Sequence, residues 1–494
     1  MSLDSRSNKK IFASSNTRST YQKLLALFAG SILPWSFAPS DYYWLSIASP
    51  AILLLLWHKY PKYTFINGFL FGCGFFGCSV FWIYISIHTY GNASPFLAGL
   101  ITAIFIAYLA LFPATQGLLY RYIPCTNNAG KFLFTFPLSW IICEYLRGTL
   151  FTGFPWLFLG YSQINTPLKN FAPIGGIYLL SFLTAFIAGG IVYLWYTRNY
   201  IRRLIVALTI LGLWLGAIAA GKILWDRPVG KPMSVALIQG NIPLEIRWQK
   251  DQLTNTLDTY YQLTKKSLNK NIIVWSEGAI PSASSAVQNF TNKLSYLAQK
   301  YHTTILAGTF VTAQNQTYNA FISFGANSNI YLKRHLVPFG EYLPLKNISG
   351  TLLKFFDIPM SDLSRGNNRQ PPFIIDGITI APFICYEITY PNLVTEYLPQ
   401  AELLITVSED SWFGKSYAAR QHLEMARMRS LETGRDQLMV TNTGITAIID
   451  HRGNIVAKAP SFQTAVLTGV VQPREGTTPY VKWKNYIRSL FRTK

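Results

Sequence analysis

The chain is short of charge and short of cysteine. Asp, Glu, Lys and Arg make up 13% of its 494 residues, against about 25% in an ordinary soluble domain. So little charge beside 50% hydrophobic residues excludes a simple soluble enzyme. The deficit falls on the acids: 22 Asp and Glu face 43 Lys and Arg, a formal net charge of +21. Such an excess selects anionic partners. No basic stripe with interleaved aromatics and no nucleic-acid motif accompanies it, so the expected partner is anionic lipid, not nucleic acid. Four of the five cysteines (Cys73, Cys78, Cys125, Cys143) lie in or beside apolar runs, and Cys385 stands alone in the remainder. A lone thiol has no intrachain partner for a disulfide. Phosphate loops and clustered metal ligands are missing too, so no cofactor is expected.

What the chain does have is apolar length. Residues 1–23 form a polar leader carrying Arg6, Lys9, Lys10, Arg18 and Lys23, expected to be disordered and cytoplasmic. Apolar stretches follow at 24–38, 42–57, 64–87, 95–120, 132–150, 172–196 and 203–225, most of them near the roughly 20 residues that cross a bilayer. They predict a bundle of about seven transmembrane helices over 24–226. Lys and Arg concentrate in the leader and at 59–62, 121–131 and 198–203, and are missing from 36–43 and 88–94. Basic connections stay on the cytoplasmic side. An odd number of spans then delivers everything after residue 226 to the outside, in a bacterium the periplasm. Glu144 and Arg147, three apart on one helix, read as a local ion pair.

From Pro232 the pattern becomes β-rich. Strands are expected at 235–239, 272–276, 304–309, 320–324, 378–384, 403–408, 438–442, 445–450 and 465–471, and helices at 251–268, 287–301 and 418–431. This defines an α/β catalytic domain over 227–475, large enough to hold its own core. A basic tail, 476–494, interleaves Trp483, Ile487, Leu490 and Phe491 with Lys482, Lys484, Arg488 and Arg492. Too short to span, it is expected to lie as an amphipathic helix on the membrane surface. The segment 352–360, with Phe355 and Phe356, is too apolar for a solvated loop and reads as an arm dipping into the outer leaflet.

Cys385 closes the apolar run Ile378–Ile384 and precedes Pro391, which marks a strand-to-helix turn. Such turns project a side chain from the sheet and leave backbone N–H groups free for an oxyanion. Free cysteines are commonly inert core residues. In an oxidising compartment, however, an unpaired thiol is a liability unless it is used. To react, it needs a base or a cation nearby. Glu277 ends the run Ile272–Ser276, and Lys333 sits in a charged and aromatic stretch over 330–342. Spacing alone does not join the three.

Trp275-Ser276-Glu277, the Lys333 segment and Phe383-Ile384-Cys385-Tyr386-Glu387 resemble the Glu, Lys and Cys motifs of the nitrilase superfamily. With the spans in front, and with Gly153-Phe154-Pro155-Trp156, Trp412-Phe413-Gly414 and Met425-Ala426-Arg427-Met428-Arg429, the chain is similar to the apolipoprotein N-acyltransferase family over nearly its whole length. The resemblance implies a nitrilase-like αββα sandwich on a membrane bundle, in a monomeric enzyme of the bacterial inner membrane. It implies Glu277 as general base, Cys385 as nucleophile and Lys333 as oxyanion ligand. Glu341, Tyr386 and Glu387 would support them, and Trp248 and Trp412, with Phe355 and Phe356, would line a lipid entrance. The implied reaction moves an acyl chain from the sn-1 position of a phospholipid, through a Cys thioester, to the α-amine of a diacylglyceryl cysteine on an apolipoprotein. Two residues depart from the family pattern, Ser276 where Pro is frequent and Glu409 where Asn is usual; neither is expected to touch the triad. The competing readings are an amidase handing the acyl group to water and a transporter with an inert outer domain.

Overall fold

The computed structural model describes residues 5–283, 287–342 and 362–491. The chain divides into two compact units. The first joins Met1–Tyr84, Phe96–Lys169 and Ile177–Ala220, and the second joins Ile85–Pro95, Asn170–Gly176 and Gly221–Lys494.

The first unit is helical, and each of the seven apolar stretches folds as helix: Ser5–Ile32, Leu45–Lys59, Thr64–Ser79, Pro95–Tyr122, Phe136–Arg147, Ala172–Tyr196 and Tyr200–Ala220. Among the described residues, three helices are long and apolar enough to cross a membrane, Pro95–Tyr122, Pro167–Tyr196 and Tyr200–Ala220. A fourth results if Pro61–Ser79 and Trp82–Tyr90, bent by 53°, count as one span. Length separates Leu45–Lys59, Thr64–Ser79 and Phe136–Arg147 from the expected seven, whereas Ser5–Ile32 is long enough at 28 residues but polar in its first half. The 15 residues of Leu45–Lys59 rise only about 22 Å at 1.5 Å each, short of a hydrocarbon core of about 30 Å. The leader is also corrected: helix begins at Ser5, because residues 5–23 contain neither Gly nor Pro to interrupt it before the apolar run.

On Tyr200–Ala220, Leu204, Leu208, Leu211, Leu215 and Ile218 are each more than half exposed, the side such a helix would present to hydrocarbon. Inside the unit, contacts are close. A Cβ on Gly72 would lie 2.6 Å from the Ala110 Cα, so the small residue sets how near the two helices approach. Glu144 accepts from Trp140 Nε1 at 2.9 Å and from the Leu159 N–H at 2.6 Å. Arg147 donates to the carbonyls of Phe154, Trp156 and Leu157. Both thus fasten the loop after their helix.

The second unit carries strands β1 (Asp226–Pro228), β2 (Met233–Gln239), β3 (Ile272–Trp275), β4 (Ile280–Ala283), β5 (Thr304–Ala313), β6 (Gln316–Phe324), β7 (Ile330–Leu332), β8 (Phe373–Ile375), β9 (Ile378–Ile384), β10 (Leu403–Ser408), β11 (Gln437–Thr441), β12 (Ala447–Ile449), β13 (Ile455–Lys458), β14 (Ala465–Val471) and β15 (Arg474–Gly476). One sheet runs β14-β2-β3-β5-β6-β7 with β4 beside β5, and the other runs β13-β12-β11-β10-β9-β8. Alternation along each strand decides the layers. Val235 and Leu237 of β2 join Phe383 of β9 and Leu404 of β10 in one core between the sheets. Ala236 and Ile238 point the other way, against Leu257, Tyr260 and Leu294 of helices Leu253–Lys265 and Gln288–Lys300. Helix Ala418–Thr433 covers the second sheet through Leu423 and Ala426. The result is an αββα sandwich.

Strands β2, β3 and β5 are parallel, as are β9, β10 and β11. Parallel neighbours need crossovers, so the turns after their C-terminal ends gather at one edge. Glu277, Cys385, Glu409 and Asn442 all follow such ends. The tail is helical over Pro479–Leu490, capped by the Thr478 side chain. Its Asn485 donates to the Leu398 carbonyl and Arg488 to Asn392 and Thr395, while Trp483, Tyr486 and Leu490 stay exposed.

Candidate active site

Glu277 emerges where β3 passes β5 with almost no clearance. A Cβ on Gly308 would lie 2.6 Å from both the Glu277 Cα and the Ser276 carbonyl oxygen, so only glycine fits there. Both carboxylate oxygens of Glu277 are held. Oε1 accepts from Asn319 Nδ2 at 2.7 Å and Lys333 Nζ at 3.2 Å, and Oε2 accepts from the Glu409 N–H at 2.8 Å. Lys333, which follows β7, is buried and also donates to Glu341 Oε1 at 2.8 Å. Burial by itself lowers its hold on the proton. Glu277 and Glu341 outweigh that and raise the ammonium above its ordinary range.

Cys385 follows β9 with φ of 54°, a left-handed conformation that strains a non-glycine residue by about 1–3 kcal/mol. Partly open to solvent, it feels the charge of both Glu277 and Lys333. Burial first, then Glu277, raise the thiol well above the usual cysteine value, while Lys333 and a hydrogen bond from Ser408 oppose them. The resting sulfur is therefore protonated, and a base is required to make it nucleophilic.

Glu387 reaches the Lys333 segment through its backbone and through Tyr331. It accepts from the Tyr331 hydroxyl at 2.9 Å and from the backbone N–H groups of Arg334 at 2.6 Å, His335 at 3.0 Å and Ile384 at 2.8 Å. One buried carboxylate thus pins the Lys333 loop to the strand that delivers Cys385. Glu341 does contact Lys333, and its other oxygen accepts from the Val337 N–H at 2.8 Å. Tyr386 packs with His335 and Tyr390, ring centroids 5.9 Å and 5.1 Å away. Trp248 leans on Phe310 at 5.2 Å, and Trp412 meets Tyr90 at 5.6 Å while its carbonyl accepts from Ser86. Both indoles are half-buried. Phe355 and Phe356 lie outside the described residues.

Residues not singled out from sequence complete the arrangement: Arg247, Asn319, Asp410 and His422. Glu409 corrects an expectation, since its N–H contacts Glu277. Its own carboxylate is buried against Arg247 and Ser411. Burial raises the Glu409 carboxyl, and Arg247 pulls it back down. Ser276 bonds the Tyr260 hydroxyl at 2.7 Å. The available signal was repetition, an acid at the first position past an apolar strand in both Ser276-Glu277 and Ser408-Glu409.

A sandwich with Glu, Lys and Cys at its strand ends defines the carbon-nitrogen hydrolase class, and the family model described as Carbon-nitrogen hydrolase matches residues 234–480. Ahead of it, the model described as Apolipoprotein N-acyltransferase N-terminal domain matches residues 29–190. The apolipoprotein N-acyltransferase of Coxiella burnetii is 45% identical over 468 residues, covering 94% of this chain and 96% of its own. Those of Methylococcus capsulatus and Azotobacter vinelandii are 39% and 40% identical, covering 94% and 93% of this chain and 92% and 91% of their own. The chain belongs to the apolipoprotein N-acyltransferase family.

Proposed function

We propose that this protein N-acylates lipoproteins by a two-step transfer through Cys385. The observation that carries the reading is the convergence of Glu277 and Lys333, 56 positions apart yet 3.2 Å from each other, on the thiol of Cys385. Glu277 takes the thiol proton as the sulfur attacks the sn-1 ester carbonyl of a phospholipid. Lys333, with the Tyr386 N–H, holds the oxyanion. Collapse forms the Cys385 thioester, and Glu277 returns the proton to the departing lysophospholipid. The α-amine of an S-diacylglyceryl cysteine then attacks the thioester. It loses a proton to Glu277, the amide forms, and the thiol is restored.

The supply of acyl donor is a matter of placement. We read residues 24–226 as the membrane bundle, 227–475 as the catalytic domain facing the periplasm, and the tail helix as lying on the bilayer with Trp483, Tyr486 and Leu490. Trp248 and Trp412 line the lipid entrance, and the enzyme acts as a monomer in the inner membrane.

The test is intact-protein mass after incubation with phospholipid alone in detergent. An added mass of one acyl chain, mapped to Cys385 and lost on adding a diacylglyceryl peptide, is expected. An unchanged mass, or a Cys385→Ser variant that still acylates the peptide, overturns the reading. Release of free fatty acid without any peptide would point to a hydrolase instead.

A further inference from the structure

Four side-chain atoms around the proposed base close a ring of hydrogen bonds that the transfer scheme leaves unexplained. Lys333 Nζ donates to Glu277 Oε1 at 3.2 Å and to Glu341 Oε1 at 2.8 Å. Asn319 Nδ2 donates to the same two oxygens, at 2.7 Å and 3.0 Å. Two nitrogens and two oxygens thus alternate around the ring. An asparagine amide has two N–H hydrogens, and here each acid takes one. Lys333 gives two of its three and keeps one for an oxyanion.

Asn319 reaches this place from β6. Side chains alternate along a strand, so Asn319 shares its face with Phe321, which lies in the core between the sheets. A fully buried amide on that face is held at a cost. Its Oδ1 is buried and, among the described residues, accepts no hydrogen bond. Buried acceptors are rarely left so. Turning the amide over gives no relief, since Oδ1 would then face two acid oxygens and both N–H bonds would be lost. The backbone carbonyl of the same residue accepts the Lys333 N–H at 2.8 Å, so Asn319 fixes the lysine and both acids together.

The ring also decides which oxygen of Glu277 can act. A carboxylate offers about four lone-pair sites on its two oxygens. Oε1 fills its share with Asn319 and Lys333. Oε2, among the described residues, accepts only the Glu409 N–H at 2.8 Å. We propose that Asn319 is a positioning residue that holds Glu277 and Glu341 about Lys333 and leaves Glu277 Oε2 as the atom that takes the thiol proton. The S–H bond breaks, the Oε2–H bond forms, and the sulfur electron pair goes to the ester carbonyl carbon. This rests on Glu277 being the base in the function proposed above.

The test follows acyl-adduct formation on Cys385 by intact mass, in the full chain in detergent, over a range of phospholipid concentration and without peptide. Asn319→Leu keeps a branched side chain and removes both donors. Its limiting rate should fall about a hundredfold, the effect of a catalytic group displaced by about 1 Å, while the half-saturating lipid concentration and the thermal midpoint stay at the parent's values. Asn319→Asp keeps the shape without the N–H groups and should lose at least as much. A parent-like limiting rate in either variant overturns the proposal. So does a rate lost only together with the thermal midpoint, which assigns Asn319 to folding alone, or a raised half-saturating concentration at an unchanged limiting rate, which assigns it to lipid binding. If Asn319→Leu does not fold, Asn319→Asp carries the same expectation. Absence of an adduct on the parent chain would instead defeat the transferase reading.

Discussion

Arg247 and Glu409 bury opposite charges beside the proposed base, and their pairing sets what each can tolerate. Side chains of both are under 5% exposed. Removing one partner strands the other charge in a medium that solvates it poorly, a loss of about 3–5 kcal/mol. Arg247→Ala is therefore expected to lower the thermal midpoint sharply, and Arg247→Ala/Glu409→Asn to recover most of the loss. A double variant as unstable as the single would show that packing, not charge, dominates. His335 makes a second residue-scale case. Burial first, with Arg365 and Lys333 adding to it, pushes its pKa down to about 4, against about 6.5 in an unfolded chain. The folded state thus favours the neutral ring. That stability is present above about pH 6.5 and is lost as pH falls toward about 4. Buried Glu387 and Glu409 are shifted up and act oppositely, so the comparison needed is with His335→Gln. The parent's thermal midpoint should fall more steeply between pH 7 and 4.5 than the variant's; parallel slopes would contradict this assignment.

At the scale of elements, the site is a set of strand ends held in register by tight packing. Gly308→Ala would drive a methyl group into the Glu277 backbone. We expect about a hundredfold loss of transfer, since a displacement near 1 Å of a catalytic group has that effect, with the fold retained. Parent-like activity would mean that the β3 end has more room than the 2.6 Å contact allows. Much of this layer was legible in the sequence. The strand Ile378–Ile384 and the strand Leu403–Ser408 fall on the observed limits, because long apolar runs bounded by polar residues leave little choice. The missed strands β1, β4, β7, β8, β13 and β15 are three or four residues long, too short to show a period. At the site, Glu277, Lys333 and Cys385 stood out as polar residues closing or interrupting apolar runs. Asn319 did not, because a polar residue within Gln316–Phe324 reads as an outward-facing position until the fold turns it toward Glu277. His422 was hidden likewise in Ala418–Thr433, whose polar residues are buried and whose composition resembles a solvated helix.

For the whole molecule, the decisive quantity is the number of crossings. Seven spans and the three that pass on length and apolarity are both odd; counting the bent pair as one makes four and reverses the outcome. An odd count puts the basic leader and the sandwich on opposite faces of the bilayer, and an even count puts them on the same face. The basic residues argue for the first arrangement, since the connection from Arg121 to Lys131 carries positive charge and the 88–94 connection carries none. Cys125 lies in that basic connection and is a natural reporter. In the second unit, Gln314 is exposed at the turn between β5 and β6, so Gln314→Cys supplies the other reporter. With intact cells whose outer membrane has been opened, a membrane-impermeant maleimide should label Gln314→Cys at once and Cys125 only after detergent. A Gln314→Cys site that labels only after detergent would make a catalytic domain facing the periplasm untenable, and labelling of Cys125 before detergent would overturn the cytoplasmic placement of the basic connection.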